Sequence, residues 1–304
     1  MRSKNHIRSK DMRRFNFISH TVMIFVTIMA VLPFILVFMS SITEENTLVL
    51  NGYSFFPDKI SFYAYEYIIM NGKKIFRAYG VTVFVTVVGT SINVLISSLL
   101  AYPLSLRDLP GKKILTFYVV FTLLFNGGLV PTYLMYTSIF NVKNTIWALI
   151  VPNLLMHTMN VLLMRTYYST SIPSELYEAA EIDGAGQFKI FSTIIVPLGK
   201  PIAVTMALFS GLSYWNDWTN GLYYLTGYEG EKLYTIQNFL NKVVTDIQYL
   251  NSSQVGSNSE MLAKLPTVSV RMAIAFVAMV PVLLLFPFVQ KYFSKGIAMG
   301  AVKG

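Results

Sequence analysis

Long stretches without charged residues constrain the fold of this chain more than any other feature. Five stretches of at least 19 residues lack Lys, Arg, Asp and Glu, and a sixth of similar length holds one acid, Asp217. About 20 apolar residues cross the hydrocarbon core of a bilayer as a helix, so the sequence predicts six transmembrane helices. The predicted spans are residues 17–42, 78–106, 114–138, 144–167, 202–226 and 271–291.

These stretches indicate an all-α membrane protein. Only helices and closed barrels satisfy their backbone hydrogen bonds in lipid, and the runs are continuously apolar rather than alternating. Charged residues make up 13% of the chain, about half of the fraction usual in soluble domains, which excludes a typical soluble enzyme. The first span is too long for the apolar core of a cleaved signal peptide, so we expect it to be retained. Prolines inside the predicted spans either kink their helices or are simply tolerated there; they are Pro33, Pro103, Pro131, Pro152 and Pro281.

The formal charge of +9 is explained by membrane topology. Six spans place both chain ends on one side, and that side holds 15 of the 24 Lys and Arg residues. Since Lys and Arg in short loops favour the cytoplasmic side, both termini are predicted to be cytoplasmic. The charge therefore gives no reason to expect nucleic-acid binding. The predicted organisation is a basic cytoplasmic arm at 1–14, a six-helix membrane domain at 15–292 and a cytoplasmic tail at 293–304.

The sequence lacks the residues for several kinds of chemistry. It contains no cysteine, which excludes disulfides, thiolate metal sites and a cysteine nucleophile. Its three histidines lie in different segments, so a metal cluster is not expected. No G-x-x-x-x-G-K-[ST] phosphate-binding loop occurs. Energy from ATP by that route would have to come from another subunit.

The connection between the fourth and fifth spans carries the clearest local pattern. It predicts a short exposed helix, with Pro173 in its first turn, Ser171 or Ser174 as its cap, and Gly184 as a left-handed stop. Three acids share one stripe of this helix, and small apolar residues face another way. Such a helix suits docking in a partner's groove, although a solvated surface helix has the same pattern. The acids are Glu175, Glu178 and Glu181, and the apolar residues are Leu176, Ala179 and Ala180.

The run Glu178-Ala179-Ala180-Glu181-Ile182-Asp183-Gly184-Ala185, followed by Pro197 and Pro201, resembles the EAA loop of ABC-importer permease subunits. Segments 126–133, 144–149 and 215–217 resemble the LplC-like branch of carbohydrate permeases, which is related to the smaller maltose-transporter permease subunit. The resemblance covers nearly the whole chain. It implies a type I importer permease fold with six transmembrane helices and a cytoplasmic coupling helix within an EAA coupling loop at 171–201.

The resemblance also implies partners. We expect a second homologous permease subunit, two cytoplasmic ATPase subunits, and an external solute-binding protein that delivers a saccharide. ATP and Mg²⁺ would bind the ATPase subunits, so we expect no cofactor and no catalytic or metal site in this chain. The location implied is a bacterial plasma membrane, where the chain contacts lipid. The residues assigned by the match to coupling with the ATPase are Glu178, Ala179, Ala180, Asp183 and Gly184.

An acid inside a predicted span marks a second candidate site. Asp217 lies in the middle of 202–226, and an ionisable residue at that depth must face protein or water. Asn216 and Asp217 could bind sugar hydroxyls on a substrate path, with Trp215 and Trp218 beside the C–H faces of the sugar. A buried structural hydrogen-bond pair would explain the same residues, and the sequence does not separate the two interpretations.

Three other classes of function compete with the importer permease. A secondary transporter or channel would use Asp217 as an ion or proton site, but it leaves the helix after Pro173 without a purpose. An intramembrane enzyme would need a nucleophile with its base or a set of metal ligands, and neither H-E-x-x-H nor a histidine cluster is present. A purely structural scaffold is disfavoured by polar residues in the middle of a span. The sequence therefore predicts the permease subunit of an ATP-driven saccharide importer.

Overall fold

The computed structural model describes residues 10–70, 72–252 and 268–301, and the regular elements in these ranges are helices. An isolated antiparallel bridge joins Thr43 and Ile60. The predicted all-α class is confirmed. Residues 1–9 of the predicted basic arm and 302–304 of the predicted tail lie outside the described residues.

The chain divides into two compact units, the first of which contains Met1–Asn71 and Asp246–Met279. Its described helices are α1 Lys10–Ser41, α2 Glu45–Asn51, α3 Tyr63–Met70 and the beginning of α16, Val268–Ala301. The Glu45 carboxylate accepts hydrogen bonds from the backbone N–H groups of Val268 and Ser269, both at 2.8 Å, and from the Ser269 hydroxyl at 2.6 Å. The first N–H groups of a helix have no partner within it, so Glu45 caps α16 and fixes its start against α2.

The second unit contains Gly72–Thr245 and Val280–Gly304. It holds the segments for which the sequence predicts coupling and transport. Its helices are α4 Gly72–Ser105, α5 Lys112–Leu124, α6 Leu129–Leu134 with a π-helical turn Met135–Ile139, α7 Trp147–Ile150, α8 Thr158–Ser171, α9 Ser174–Ile182, α10 Gln187–Ile190 with a π-helical turn Phe191–Ile195, α11 Val196–Leu198, α12 Lys200–Asn216, α13 Thr219–Tyr224, α14 Gly227–Glu231 and most of α15, Ile236–Ser252.

Among the described residues, α4 and the part of α1 from Asp11 are each long and apolar enough to cross a membrane alone. Two bent pairs also pass that test: α5 with Leu129–Ile139, bent by 112°, and Gln187–Leu198 with α12, bent by 77°. The first bend lies within the predicted span 114–138. There the Asn126 side chain accepts a hydrogen bond from the Gly128 N–H at 2.8 Å, and Gly128 has φ 84°. An asparagine turn followed by a left-handed glycine ends α5, although the run stays apolar on both sides.

The predicted span 144–167 is interrupted as well. Residues 151–157 between α7 and α8 are irregular, because Pro152 has no N–H to donate and Asn153 has φ 61°. Carbonyl groups freed by this break must find other donors inside a membrane, and side chains from three other helices supply them. Tyr214 Oη donates to Ile150 O at 2.9 Å, Asn220 Nδ2 to Pro152 O at 3.0 Å, and Asn93 Nδ2 to Leu154 O at 2.8 Å.

Helix α4 is at the centre of the second unit and packs most extensively against α12 and α8. Gly89 allows the close approach to α12, since a Cβ there would lie 2.5 Å from the Tyr214 ring. Three buried polar side chains, which we call the polar trio, connect the helices: Asn93 of α4, Asn160 of α8 and Ser210 of α12. Asn160 Nδ2 donates to Asn93 Oδ1 at 3.1 Å and to Ser210 Oγ at 2.9 Å, while the Ser210 hydroxyl donates to Asn93 Oδ1 at 2.7 Å.

Candidate coupling and substrate-path sites

Helix α9 carries the predicted coupling residues and begins directly after Pro173, which has φ −60° and ψ 137°. The prediction that Ser171 or Ser174 caps this helix is wrong, because the start of α9 has no side-chain cap bond. Ser171 is still the last residue of α8, and Ser174 is already the first helical residue of α9. The rigid proline itself therefore occupies the capping position.

The end of α9 is closed by Gly184, which has φ 76°. The Gly184 N–H donates to Glu181 O at 3.0 Å, and the Ala185 N–H donates to Ala180 O at 2.9 Å. These two bonds form a Schellman ending, which needs a left-handed residue at the position of Gly184. The predicted left-handed stop is confirmed. A Cβ at Gly184 would meet no atom within 4 Å, so only the backbone conformation favours glycine here.

Helix α9 has an inner face that is packed and an outer face that is open. Tyr177, Ala180 and Ala185 pack against a buried hydrophobic cluster built around α4, α8 and Phe191. Leu176 is 41% exposed and Ile182 is 86% exposed. Leu176, Ala179 and Ala180 were expected to share one apolar face, but the structure divides them. Ala180 faces inward with Tyr177, whereas Leu176 and Ala179 face outward. The acids Glu175, Glu178 and Glu181 are all exposed, as are Asp183 and Gly184.

A chain of side-chain hydrogen bonds, which we call the α9 relay, joins α9 to the end of α4. Tyr102 Oη donates to Gln187 Oε1 at 2.6 Å, and Gln187 Nε2 donates to Glu181 Oε1 at 2.9 Å. Tyr102 and Gln187 were not predicted from the sequence. They lie far apart in the chain, and a contact over such a separation leaves no local pattern. Beside the relay, burial raises the pKa of Tyr177 to about 12. Its hydroxyl stays protonated near neutral pH and donates to Tyr168 O at 3.5 Å.

A cavity of about 580 Å³ lies between α9 and the segment that connects α4 to α5. The relay residues line it together with Arg107, Asp108 and Glu178. Both charge signs are present, and Glu178 and Glu181 of the coupling segment form part of the wall. The open edge of α9 therefore offers a partner carboxylates, exposed apolar side chains and a recess beside them.

The predicted substrate-path residues lie at the end of α12 rather than within a continuous helix. Helix α12 ends at Asn216, and Asp217 is its C-terminal cap with ψ 117°. Trp215 is 7% exposed and Trp218 is 43% exposed, while Asn216 is exposed and Asp217 is half-buried. The four residues thus lie at the junction of α12 and α13 and differ widely in exposure.

The Asp217 carboxylate has a local structural role. Its Oδ1 accepts hydrogen bonds from the Thr219 N–H at 3.1 Å, the Thr219 hydroxyl at 2.6 Å and the Asn220 N–H at 3.4 Å. These donors belong to the first turn of α13, so Asp217 ends one helix and starts the next. This geometry favours the structural interpretation over an ion or proton site for Asp217.

Comparison with known proteins agrees with this arrangement. Residues 7–299 match the model of the family described as the inner membrane component of binding-protein-dependent transport systems. The chain is 37% identical to the polygalacturonan/rhamnogalacturonan transport system permease YtcP of Bacillus subtilis, over 96% of this chain and 99% of that protein. It is 33% identical to protein LplC of the same organism, over 90% of both chains.

A solved structure has the same fold. It is a chain of a bacterial ABC transporter that imports the acidic polysaccharide alginate, with a TM-score of 0.77 and 27% sequence identity. The match covers 95% of this chain and 100% of that chain. The type I importer permease fold, expected from the run 178–185, is thereby confirmed. The chain belongs to the family of inner-membrane permease components of binding-protein-dependent transport systems, the permeases of ABC importers.

Proposed function

We propose that this chain is the permease subunit that carries a saccharide across a bacterial plasma membrane in an ATP-driven importer. A second homologous permease would complete the membrane channel, and two cytoplasmic ATPase subunits would bind and hydrolyse ATP with Mg²⁺. An external solute-binding protein would deliver the sugar. The chain itself is a transporter permease and not an enzyme, and we expect it to hold no cofactor.

The geometry of α9 is the observation that carries the assignment of coupling. Its start is fixed by Pro173, its end by the Schellman turn at Gly184, and its inner face by the buried cluster. Its outer face leaves Leu176, Ile182 and three carboxylates exposed. A helix that is packed on its inner face and accessible on its outer face transmits a displacement instead of absorbing it. We therefore assign Glu178, Ala179, Ala180, Asp183 and Gly184 to the contact with the ATPase, with Ala180 acting from the packed side.

The saccharide assignment is supported by the relatives. Their names specify polygalacturonan and rhamnogalacturonan, melibiose, raffinose and stachyose, and arabinooligosaccharides. A saccharide presents many hydroxyl groups and few apolar faces, which suits a path lined by uncharged polar side chains and aromatic rings. The assignment of Asn216, Asp217, Trp215 and Trp218 to that path stays a prediction.

Reconstitution tests the proposed function directly. The chain would be assembled in liposomes with its companion permease, ATPase subunits and binding protein. ATP hydrolysis and saccharide uptake would then be measured with digalacturonate, raffinose and arabinotriose. We expect at least one of these sugars to stimulate hydrolysis and enter the liposomes only when ATP is present. Uptake driven by an ion gradient without ATP would contradict the proposal.

The predicted membrane orientation has its own test. The chain lacks cysteine, so Ser54→Cys and Ser174→Cys each introduce one thiol that can be labelled in intact cells. Because the Lys and Arg distribution predicts that both termini are cytoplasmic, an impermeant reagent should label Ser54→Cys and leave Ser174→Cys unlabelled. Permeabilised cells, in which both variants should react, provide the control. Labelling of Ser174→Cys from outside would reverse the topology and remove α9 from reach of a cytoplasmic ATPase.

A further inference from the structure

Two cationic side chains converge on the C-terminal end of α4. Arg165 Nε of α8 donates to Leu104 O at 3.1 Å, and Lys112 Nζ of α5 donates to Leu106 O. Leu104 lies in the last turn of α4 and Leu106 directly follows its last residue, Ser105. The carbonyl groups at this end form the negative pole of the helix dipole, which attracts cations. Two other helices therefore bring positive charge to the end of α4.

The packing of α5 against α8 explains why the two side chains meet there. Val119 of α5 and Val161 of α8 belong to one buried hydrophobic cluster. Lys112 precedes Val119 by seven residues, and Arg165 follows Val161 by four. Both intervals return to the same face of a helix. Lys112 and Arg165 therefore extend from the packed sides of their helices, and both reach the end of α4.

Capping α4 uses only part of the hydrogen-bonding capacity of these cations. Towards the described residues, Arg165 keeps the four N–H groups of its terminal nitrogens, and Lys112 keeps two ammonium hydrogens. The ion pairs found among the described residues include neither side chain, nor Asp108, the acid of the same connection. Two convergent cations with several free donors match an anion that has several oxygen acceptors, which is the chemistry of a phosphate group.

The position of the two cations along the predicted spans indicates the source of that phosphate. Leu106 is the last residue of the predicted span 78–106, and Lys112 precedes the predicted span 114–138 by two residues. Lipid headgroups meet the hydrocarbon core at the ends of such spans, and long basic side chains reach that level along apolar surface. The predicted topology makes this the cytoplasmic face, where basic pockets between membrane helices bind anionic lipid headgroups.

The adjoining surface of α5 is suited to an acyl chain. Lys113 is exposed and begins a strip that continues one and two turns later with Phe117 and Phe121. These two side chains are 62% and 42% exposed, and their ring centroids are 5.9 Å apart. The strip runs from the basic end of α5 into the stretch 114–142, which contains no charged residue. Positive charge at one end and apolar rings along the helix are complementary to a phospholipid.

We propose that Arg165, Lys112 and Lys113 bind the headgroup of one anionic phospholipid, with its acyl chain on Phe117 and Phe121. The phosphate would accept hydrogen bonds from the Arg165 and Lys112 donors that α4 leaves free. A zwitterionic headgroup carries its own cation, so an anionic headgroup such as phosphatidylglycerol neutralises the site better. The inference requires that the chain spans a membrane, and it does not depend on which substrate is transported.

Lipid quenching in nanodiscs tests the site in the assembled complex. Ile114→Cys places the one thiol of this chain beside the site, and Leu284→Cys places a matched thiol in the charge-free stretch 272–290 of α16. The two positions are 64% and 65% exposed. Each would be labelled with bimane, with companion subunits that lack reactive cysteine, and quenching by brominated phosphatidylglycerol would be compared with quenching by brominated phosphatidylcholine. At Ile114 the anionic lipid should bind about tenfold better, equivalent to about 1.4 kcal/mol, and at Leu284 the two lipids should quench equally.

Charge variants in the Ile114→Cys background give a second measurement. Arg165→Gln and Lys112→Gln should each lower the lipid preference several-fold, whereas Arg165→Lys keeps the charge and should retain most of it. Lys200→Gln removes the same charge from the exposed start of α12 and should leave the preference unchanged. Inorganic phosphate, added at constant ionic strength, should also leave it unchanged, because a lipid is held by its chains as well.

Three results would overturn the proposal. Equal quenching by the two lipids at Ile114 in the wild-type background would leave the two cations as caps on α4 or as contacts of another subunit, and this comparison requires no substitution in the site. Loss of the preference on addition of inorganic phosphate would assign the site to a soluble anion. An effect of Lys200→Gln as large as that of Lys112→Gln would mean that the surface attracts anionic lipid without a site. In each case the proposed saccharide transport stands, since its own test measures uptake.

Discussion

The polar trio and the α9 relay are both three-residue hydrogen-bond clusters, but they lie in different surroundings. The trio is almost fully buried among α4, α8 and α12. In the relay only Tyr102 is buried, at 6% exposure, and both Gln187 and Glu181 are exposed. Water competes for the bonds of the relay and is largely excluded from those of the trio.

This difference separates stability from coupling. A buried bond that loses one partner leaves a desolvated polar group, which costs about 1 to 3 kcal/mol. An exposed hydrogen bond is replaced by hydrogen bonds to water at little cost in the free energy of unfolding. Its contribution is to fix the orientation of α9. The trio should therefore govern whether the helices assemble, and the relay should govern how α9 is aimed.

The largest effect is expected where α4 and α12 are closest. Gly89→Val would drive a side chain into the Tyr214 ring and should lower the free energy of unfolding by about 3 kcal/mol. Thermal unfolding of the purified complex in detergent measures the loss. Gly80→Val on the same helix is the control, because a Cβ there would meet no atom within 4 Å. Equal melting temperatures for the two variants would mean that α4 and α12 do not pack as described.

The second-largest loss of stability is expected when the Asn160 amide, at the centre of the trio, is removed. Asn160→Leu leaves Ser210 and Asn93 with one donor fewer and should cost about 1 to 2 kcal/mol in stability. Thr166→Val on the same helix loses only a hydroxyl that bonds to Leu162 O within α8 and should melt like the wild type. A smaller loss for Asn160→Leu than for Thr166→Val would mean that the polar trio does not govern the assembly of the helices.

At the end of α9, strain at Gly184 should act on α9 alone. Gly184→Val forces a β-branched residue into positive φ, at a local cost of about 1 to 2 kcal/mol. Gly186→Val is the matched control, since Gly186 has φ −70° and an open surround. Co-purification of the ATPase should fall for Gly184→Val and not for Gly186→Val. If both variants retain the ATPase and full sugar-stimulated hydrolysis, α9 is only a surface helix.

The smallest stability effect is predicted for the relay. Gln187→Leu should change the free energy of unfolding by less than about 1 kcal/mol but lower sugar-stimulated ATP hydrolysis several-fold. Tyr102→Phe should lower it similarly, and the double variant should be no worse than either single one because both break the same chain of bonds. Additive losses would show that the two residues act separately.

The sequence predicted the parts of this fold that depend on local pattern. The short helix after Pro173 and the left-handed Gly184 follow from proline and glycine chemistry within a dozen residues. The six apolar stretches gave the fold class in the same way. The Ser171 and Ser174 caps were wrong because the exact start of a helix depends on where the previous helix ends.

Tertiary contacts could not be predicted in this way. Asn93, Asn160 and Ser210 are uncharged polar residues within long charge-free stretches, and their pairing depends on three helices meeting at one level. The break at 151–157 is stabilised by distant side chains as much as by its own residues. Asp217 was predicted to be a functional residue because it is a charged residue inside a span. In the structure its carboxylate accepts hydrogen bonds from the first turn of α13.

The irregular segment between α7 and α8 has a consequence for biosynthesis. The donors that satisfy its carbonyl groups at Ile150 and Pro152 come from Tyr214 and Asn220, which leave the ribosome more than 60 residues later. Until those donors arrive, Ile150 O lacks its Tyr214 donor and Pro152 O has only the local Leu154 N–H at 2.8 Å, and lipid can supply no further donor. We therefore expect the fourth span to reach its final conformation only after α12 and α13 have been made. The order of synthesis is thus expected to differ from the order in which the helices become stable.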